Sequence, residues 1–365
     1  MKIIHCADLH LDSRLNTNLS AEKAKERKAE LLDTFIRLSD YAEENGVKAV
    51  IIAGDLFDKK NVSLHARNTV YGIMERHPDI SYLYLRGNHD VSAQGAHPKN
   101  LRMFGNGWTY YGLPIDDRKN VIIAGIELND ENSSDIYAAL ELRAEDINIV
   151  TLHGQIGDYA LKSRPEMINI HGLKNKSIDY LALGHIHEHK TGKLPPRGEY
   201  VYPGCLEGRG FDECGVHGFE LIDIDEREFT LTHKFIPFAK RTVHEVRVDV
   251  SGVMTTVEIG DLVRSALTDR GISSDDMVKI VLTGKVDVEC EKDPEQVRQR
   301  FENDYYFLKV SDETGLAVDY VSFGRDASLK GEFVRIVQSD ELLSEERKSA
   351  IIRCGIQALS GEEWQ

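Results

Sequence analysis

The chain has 365 residues, 41% hydrophobic and 29% charged, with 45 basic and 61 acidic side chains and a formal net charge of −16. This length supports one large core and a smaller second one, and the composition excludes the disordered and membrane classes. The acidic balance argues against wrapping a nucleic acid by protein surface charge alone, though not against a polyanion held where metal ions supply the positive charge.

The first apolar run, Ile3-Ile4-His5-Cys6-Ala7, ends in Asp8-Leu9-His10. Ser20 to Gly46 reads as a helix: Ser20 suits the N-cap, Leu31, Phe35, Leu38 and Ala42 share a face, and Gly46 suits the end. Val50-Ile51-Ile52-Ala53 follows and gives Gly54-Asp55-Leu56-Phe57-Asp58, so strand, helix and strand imply a parallel sheet. Ser63 caps a second helix with Val70, Ile73 and Met74 inward, and Pro78 stops it. Leu83-Tyr84-Leu85 then hands over to Arg86-Gly87-Asn88-His89-Asp90. Asn120 to Leu128 reads as a strand and Ser134 to Arg143 as a short helix. Two further strands close in His153-Gly154 and in Gly184-His185-Ile186-His187. From Tyr200 the helical spacers stop, and Tyr200 to Tyr202, Gly218 to Ile224 and Glu228 to Ile236 read as antiparallel strands that complete a first domain over residues 1–240.

A boundary falls near Ala239 to Thr242. Beyond it, the strands Val243 to Val250, Val278 to Leu282 and Tyr306 to Val310 alternate with the helices Thr256 to Arg270 and that opened by Asp293-Pro294. This small α/β domain, 241–335, carries no catalytic cluster and is expected to restrict the substrate. Residues 336–365 hold an amphipathic helix, Glu345 to Leu359, with Ile352, Ile356 and Leu359 on one face. Periodicity allows two readings, packing on its own domain or docking on a partner. Gly355 in its middle costs ~1 kcal/mol relative to Ala, so the helix should need packing to persist.

No stretch approaches the ~20 apolar residues of a membrane span, so the expectation is a cytoplasmic chain with no membrane partner. Cys6, Cys205, Cys214, Cys290 and Cys354 form no CxxC pair and fit reduced thiols.

Five apolar runs thus end in side chains able to bind metal or move protons. Asp8 and His10, two apart at a strand end, point to the same side. With Asp55, Asn88, His153, His185 and His187 they offer carboxylate, amide and imidazole groups, a set suited to Mn²⁺, with Fe, Zn or Mg as alternatives. Seven ligands exceed what one ion usually takes; two divalent ions sharing a carboxylate fit the count, and ions ~3.5–4 Å apart serve in-line displacement at phosphorus. Any one motif is weak, because a lone DxH or HxH is more often a core or surface accident. The weight lies in the joint order DxH, GDxxD, GNHD, HG and GHxH, each closing an apolar run. His89, next to a ligand but outside the metal count, is suited to general acid work. Asp90 either supports His89 or caps a helix, and Arg209 either touches a substrate phosphate or forms a structural ion pair, the commoner outcome.

These five motifs resemble those of the calcineurin-like metallophosphoesterase superfamily over about residues 1–240. In finer detail His5-Cys6-Ala7-Asp8-Leu9-His10-Leu11-Asp12-Ser13, Gly54-Asp55-Leu56-Phe57-Asp58, Leu183-Gly184-His185-Ile186-His187 and Tyr202-Pro203-Gly204 resemble the bacterial SbcD/YhaO-type DNA repair exonucleases. The resemblance implies an α/β (α+β) fold: a β-sandwich flanked by helices, a smaller α/β capping domain and a C-terminal helix. It implies that Asp8, His10, Asp55 and His187 hold one ion and Asp55, Asn88, His153 and His185 the other, with Asp55 as the bridge. His89 would contact the scissile phosphate and assist the leaving oxygen, with Asp90 in support.

The implied activity is a metal-dependent DNA exonuclease, with endonuclease activity as an addition. The implied partners are DNA and an SbcC-like coiled-coil ATPase. The chain itself has no GxxxxGK[ST] loop and should not hydrolyse ATP. Family members commonly dimerise through the nuclease domain, an expectation the resemblance alone carries. Two departures stand out: Asp58, where archaeal and eukaryotic relatives have histidine, and Cys205, where serine is usual. Two other readings use the same residues. One is a phosphodiesterase or phosphatase for small molecules or nucleotides; the other is a non-catalytic scaffold that binds DNA ends, for which a full ligand set has no chemical purpose.

Overall fold

Alternation along buried strands decides the layering. The computed structural model describes residues 1–13, 15, 19–58, 62–88, 90, 96–116, 119–133, 135–158, 165–287, 290–317 and 327–359. His89, Ser134 at the start of the expected short helix, and 360–365 of the C-terminal segment lie outside them. The chain divides into two units, Met1–Thr242 and Val243–Gln365.

The first unit begins with β1 (Lys2–Cys6), α1 (Ala21–Glu44), β2 (Val47–Ala53), α2 (Leu64–Arg76), β3 (Ser81–Leu85) and β4 (Leu101–Met103). It continues with β5 (Thr109–Pro114), β6 (Asn120–Gly125), α3 (Ile136–Ala139), β7 (Ile147–His153), β8 (Gln155–Gly157), β9 (Met167–Asn169) and α4 (Ile170–Leu173). It closes with β10 (Tyr180–Gly184), β11 (Lys190–Leu194), β12 (Gly198–Tyr202), β13 (Gly218–Asp225) and β14 (Thr230–Pro237). One six-stranded sheet runs β14-β13-β1-β2-β3-β4 and a second runs β11-β12-β10-β7-β6-β5. In each the central strands are parallel. Ala49 and Ile51 of β2 meet Ile123, Ile149 and Ala182 of the other sheet. Their neighbours Val50 and Ile52 face Leu31, Phe35 and Leu38 of α1 and Val70 and Ile73 of α2. On the far side Val150, Leu152 and Leu183 pack with Ile136, Leu140 and Leu173. The result is a mixed α/β fold, a β-sandwich flanked by helices. Strands buried on both faces read as nearly continuous apolar runs, and every residue of β7 is buried, Asn148 and Thr151 included.

The caps follow the sequence. The Ser20 hydroxyl accepts from the Lys23 N–H at 3.3 Å, that of Ser63 accepts from the Ala66 N–H at 3.1 Å, and Gly46 follows α1 at φ +68°. Three local expectations differ. α3 stops at Ala139 because Leu140 turns extended, with φ −74° and ψ 114°. The strands after Tyr200 do not form one antiparallel set: β12 lies parallel to β10 and antiparallel to β11, whereas β13 and β14 form a hairpin on the other sheet. The cause is β11, a polar edge strand that returns the chain to β10 before it crosses over.

In the second unit β15 (Val243–Asp249), α5 (Thr256–Asp269), β16 (Met277–Thr283), β17 (Lys285–Val286), α6 (Pro294–Phe301), β18 (Phe307–Asp312) and β19 (Gly315–Leu316) build an α/β layer. The sheet β15-β16-β18 is parallel, and Ile259, Val263, Val297 and Phe301 of the two helices cover it. Thr255 and Glu258 close a capping box on α5, and the Asp293 carboxylate accepts from the N–H groups of Glu295 and Gln296 ahead of α6. The third difference is a further helix, Leu329–Ser339. Ile352 and Ile356 of the helix Glu345–Leu359 are buried against its Val334 and Val337, whereas Leu359 is 39% exposed. A Cβ at Gly355 would lie 2.1 Å from the Phe333 ring, so the glycine admits the neighbouring helix.

Candidate metal centre

The C-terminal ends of both sheets carry the polar residues. β1 is followed by Asp8 and His10, β2 by Asp55, β3 by Asn88 and β10 by His185 and His187, while β7 ends in His153 itself. The segments beyond β1 and β2 stay laced: the Asp8 N–H donates to Gly54 O at 3.1 Å and the His10 N–H to Asp55 O at 2.9 Å. Asp8 (φ 52°), His10 (φ 44°), Asp55 (φ 50°) and His185 (φ 98°) all adopt left-handed backbone, which non-glycine residues rarely do and which concentrates at functional sites. Gly87 is required for a different reason. Its φ is not left-handed, but a Cβ there would lie 2.2 Å from Asp55 Oδ1, so the glycine opens the space the carboxylate fills.

Asp8, His10 and His187 form one cluster of potential ligand atoms within 4.8 Å of one another, and Asp8, Asp55 and His153 form a second. Asp55 Oδ2 lies 3.6 Å from His10 Nε2 and 3.5 Å from His153 Nε2. His10 Nε2 and His187 Nε2 are 3.2 Å apart, and Asn88 Oδ1 is 3.0 Å from His153 Nε2. The His185 ring stands edge-on to His153 with centroids 5.4 Å apart, and its backbone N–H donates to both Asp8 oxygens. Six of the seven expected ligands thus converge through side-chain atoms, and His185 flanks them. Burial pushes the Asp8 carboxyl up to about 6; His153 and His187 oppose the rise and Asp55 adds to it. Burial also lowers His185, with His153 contributing.

The donor set fits divalent ions. His153 Nδ1 is 2.9 Å from Ala53 O, a contact only an N–H can satisfy, so the inward Nε2 carries the lone pair. His187 Nδ1 is 2.7 Å from Glu213 Oε1, with the same consequence. Buried carboxylates and imidazole lone pairs facing one another repel unless a cation lies among them. His10 Nδ1 faces Asp58 Oδ1 at 3.9 Å.

Around this centre the structure gives partners to Asp90, Arg209 and Cys205 and adds contacts the sequence did not indicate. Asp90 Oδ1 accepts from the Phe57 N–H and Oδ2 from the Gly87 N–H, both at 2.9 Å, so Asp90 ties the turn after β3 to the loop after β2. Arg86 holds Glu127 with two bonds of 2.7 and 2.5 Å. Beside them a cavity of about 260 Å³ opens next to Asn88 and His153, with Asn106, Asn129 and Glu166 in its wall. Arg209 makes an ion pair, to Glu213 at 2.6 Å. The Cys205 thiol, raised far above its ordinary value by burial, contacts His217 Nδ1 at 3.2 Å and is not a reactive thiolate.

Carboxylates and imidazoles gathered at the strand ends of a two-sheet α/β frame define a metallohydrolase. The sequence pattern of the calcineurin-like phosphoesterases matches residues 1–189, and the chain belongs to that family, whose members are phosphoester hydrolases. It is similar to the uncharacterized metallophosphoesterase YhaO of Bacillus subtilis, 26% identical over 319 residues that span 78% of this chain and 72% of the relative. It is also similar to the DNA double-strand break repair protein Mre11 of Methanopyrus kandleri, 25% identical over 332 residues, 79% of this chain and 69% of the relative. The Mre11 of Sulfolobus acidocaldarius is 28% identical over 204 residues, 53% of this chain and 51% of the relative. Among the described residues no helix is long and apolar enough to cross a membrane.

Proposed function

We propose that the chain is a DNA phosphodiesterase, an exonuclease of the double-strand break repair type, working with two divalent ions of which Mn²⁺ suits the ligands best. The observation that carries this reading is the position of Asp55 Oδ2, between His10 Nε2 at 3.6 Å and His153 Nε2 at 3.5 Å, where one carboxylate can serve both ions. Asp8, His10 and His187 would complete one site, and Asn88, His153 and His185 the other. Ions bound there would activate water and offset charge on the phosphoryl oxygens. His89 would protonate the departing 3′ oxygen. Asp90, with both oxygens committed to the Phe57 and Gly87 backbone N–H groups, would hold the segment after β3 against the loop after β2. The cavity beside Asn88 offers room for the nucleotide flanking the scissile bond.

Similarity to proteins named for DNA double-strand break repair supports a polymer substrate, as does a second unit after Thr242 that holds no metal cluster among its described residues. With Mn²⁺ the purified chain should cleave linear DNA and a bis-aryl phosphodiester, and nucleoside monophosphates far more slowly in the same buffer. His89→Ala should abolish turnover while about two ions remain bound per chain. Faster turnover of the monophosphates than of DNA would replace this reading with that of a small-molecule phosphatase.

For a protein of net charge −16, an SbcC-like coiled-coil ATPase would supply the basic surface that grips the duplex. The terminal helix pair is the proposed docking element, because Leu329, Ile336, Leu342 and Ile351 are exposed while Val334 and Ile352 are spent on holding the pair together. Deleting residues 345–365 should leave diester cleavage intact and weaken co-purification with the ATPase. Unchanged co-purification would remove the helix Glu345–Leu359 from the interface.

A further inference from the structure

We propose that Glu213 is a positioning residue for His187, holding that imidazole in the tautomer and orientation a metal ligand needs; the proposal rests on the two-ion reading above. The two other imidazoles at the centre with side-chain exposures of 1% and 4%, His10 and His153, are locked by burial, and His153 is further fixed by a backbone carbonyl within a sheet. His187 has neither constraint. It lies past the end of β10 with a side chain 30% exposed, and it needs a dedicated partner to stay aimed.

Glu213 provides one. Its Oε1 is 2.7 Å from His187 Nδ1, and its side chain is only 4% exposed. The carboxylate is itself immobilised: the Arg209 backbone N–H donates to Oε2 at 2.8 Å and the guanidinium to Oε1 at 2.6 Å. The surrounding loop is anchored twice more, by the Cys205 N–H to His187 O at 3.1 Å and by His217 Nε2 to Glu213 O at 2.9 Å. Arg209 Nη2 also lies 3.3 Å from His187 Nδ1, but the shorter contact to an anionic oxygen decides which atom carries the proton. Nδ1 is therefore the N–H and donates to Glu213. Nε2 is left with its lone pair directed at the centre, 3.2 Å from His10 Nε2 and 4.0 Å from Asp8 Oδ1. Carboxylate partners of this kind raise ligand basicity and fix the ring, and losing one typically weakens metal affinity ~10–100-fold.

The test uses the full-length chain, freed of metal by a chelator and titrated with Mn²⁺ by calorimetry. Its second readout is the imidazole ¹⁵N spectrum of the metal-free protein. Glu213→Ala should weaken one of the two binding steps ~10–100-fold and leave the other unchanged, and His187 should drift from the Nδ1–H form to a mixture of tautomers. Glu213→Gln keeps the volume and an acceptor oxygen, so it should fold as the parent does and show a smaller loss at the same step. A loop-holding role alone would move neither the affinity of one ion nor the tautomer. Wild-type affinities at both steps in a folded variant would overturn the proposal. If the unmodified chain bound no ion, the two-ion reading would fail, and the ¹⁵N spectrum would still decide the role of Glu213: an Nε2–H tautomer at His187 would refute it.

Discussion

Asp55→Ala should leave a folded chain that hydrolyses neither DNA nor a bis-aryl phosphodiester, with a rate loss of at least ~10³-fold. One carboxylate oxygen faces imidazoles on both sides, at 3.5 and 3.6 Å, so its removal withdraws a ligand from each proposed ion at once. Several kcal/mol of charge stabilisation would go with it, and each ~1.4 kcal/mol is tenfold in rate. Far-UV circular dichroism, Mn²⁺ content and initial rates on one preparation would check this. A variant that keeps half its rate would exclude Asp55 as the bridge.

Glu30→Ala should be among the most damaging single changes to stability in the first unit, costing ~3–5 kcal/mol. Glu30 is 5% exposed, and its carboxylate accepts from Arg27 Nη1 at 2.5 Å, from Arg241 Nη2 at 2.5 Å and Nε at 3.0 Å, and from Lys240 Nζ at 3.1 Å. Truncation would strip this carboxylate from two buried guanidinium groups, at 0% and 7% exposure, and neither can shed its charge. The pH dependence follows from direction. Burial raises the Glu30 carboxyl, but bonds from Arg241, Arg27 and Lys240 overcome it and hold it at about 2 against an ordinary 4.5. A folded-state value below the unfolded one means the contribution is complete above pH 4.5 and fades as pH falls toward 2. Urea titrations of the parent and Glu30→Gln should therefore differ widely at pH 7, draw together below pH 4.5 and converge only as pH falls through about 2. A gap that does not shrink between about pH 5 and about pH 2 would show that packing, not charge, dominates at this position.

The central strands and their polar ends were legible because a strand buried on both faces is apolar at most positions, and Asp8, Asp55 or His153 then marks where it stops. That two sheets rather than one deliver those ends came from the family resemblance and not from the strand pattern, since parallel strands of either sheet carry the same pattern. The edge strands β4, β5 and β11 were missed for the opposite reason: they are half exposed and carry no sustained apolar run, and Lys190-Thr191-Gly192-Lys193-Leu194 looks like a loop. The partner of His187 could not be read from spacing, because Glu213 is 26 positions away and outside any strand or helix. Arg209 was the only hint, four residues before Glu213 in a loop without helical periodicity. Gly87 illustrates a subtler limit: a glycine after a strand suggests a turn, yet what demands it is Asp55 from the adjacent strand.

The left-handed backbone at Asp8, His10, Asp55 and His185 sets a trap for engineering. Each such residue stores ~1–3 kcal/mol that a glycine would release. A directed-evolution campaign scored on heat tolerance alone would therefore be drawn to these positions, and every gain there would remove a proposed ligand. Thermostable libraries of this protein need a metal-binding counter-screen from the first round.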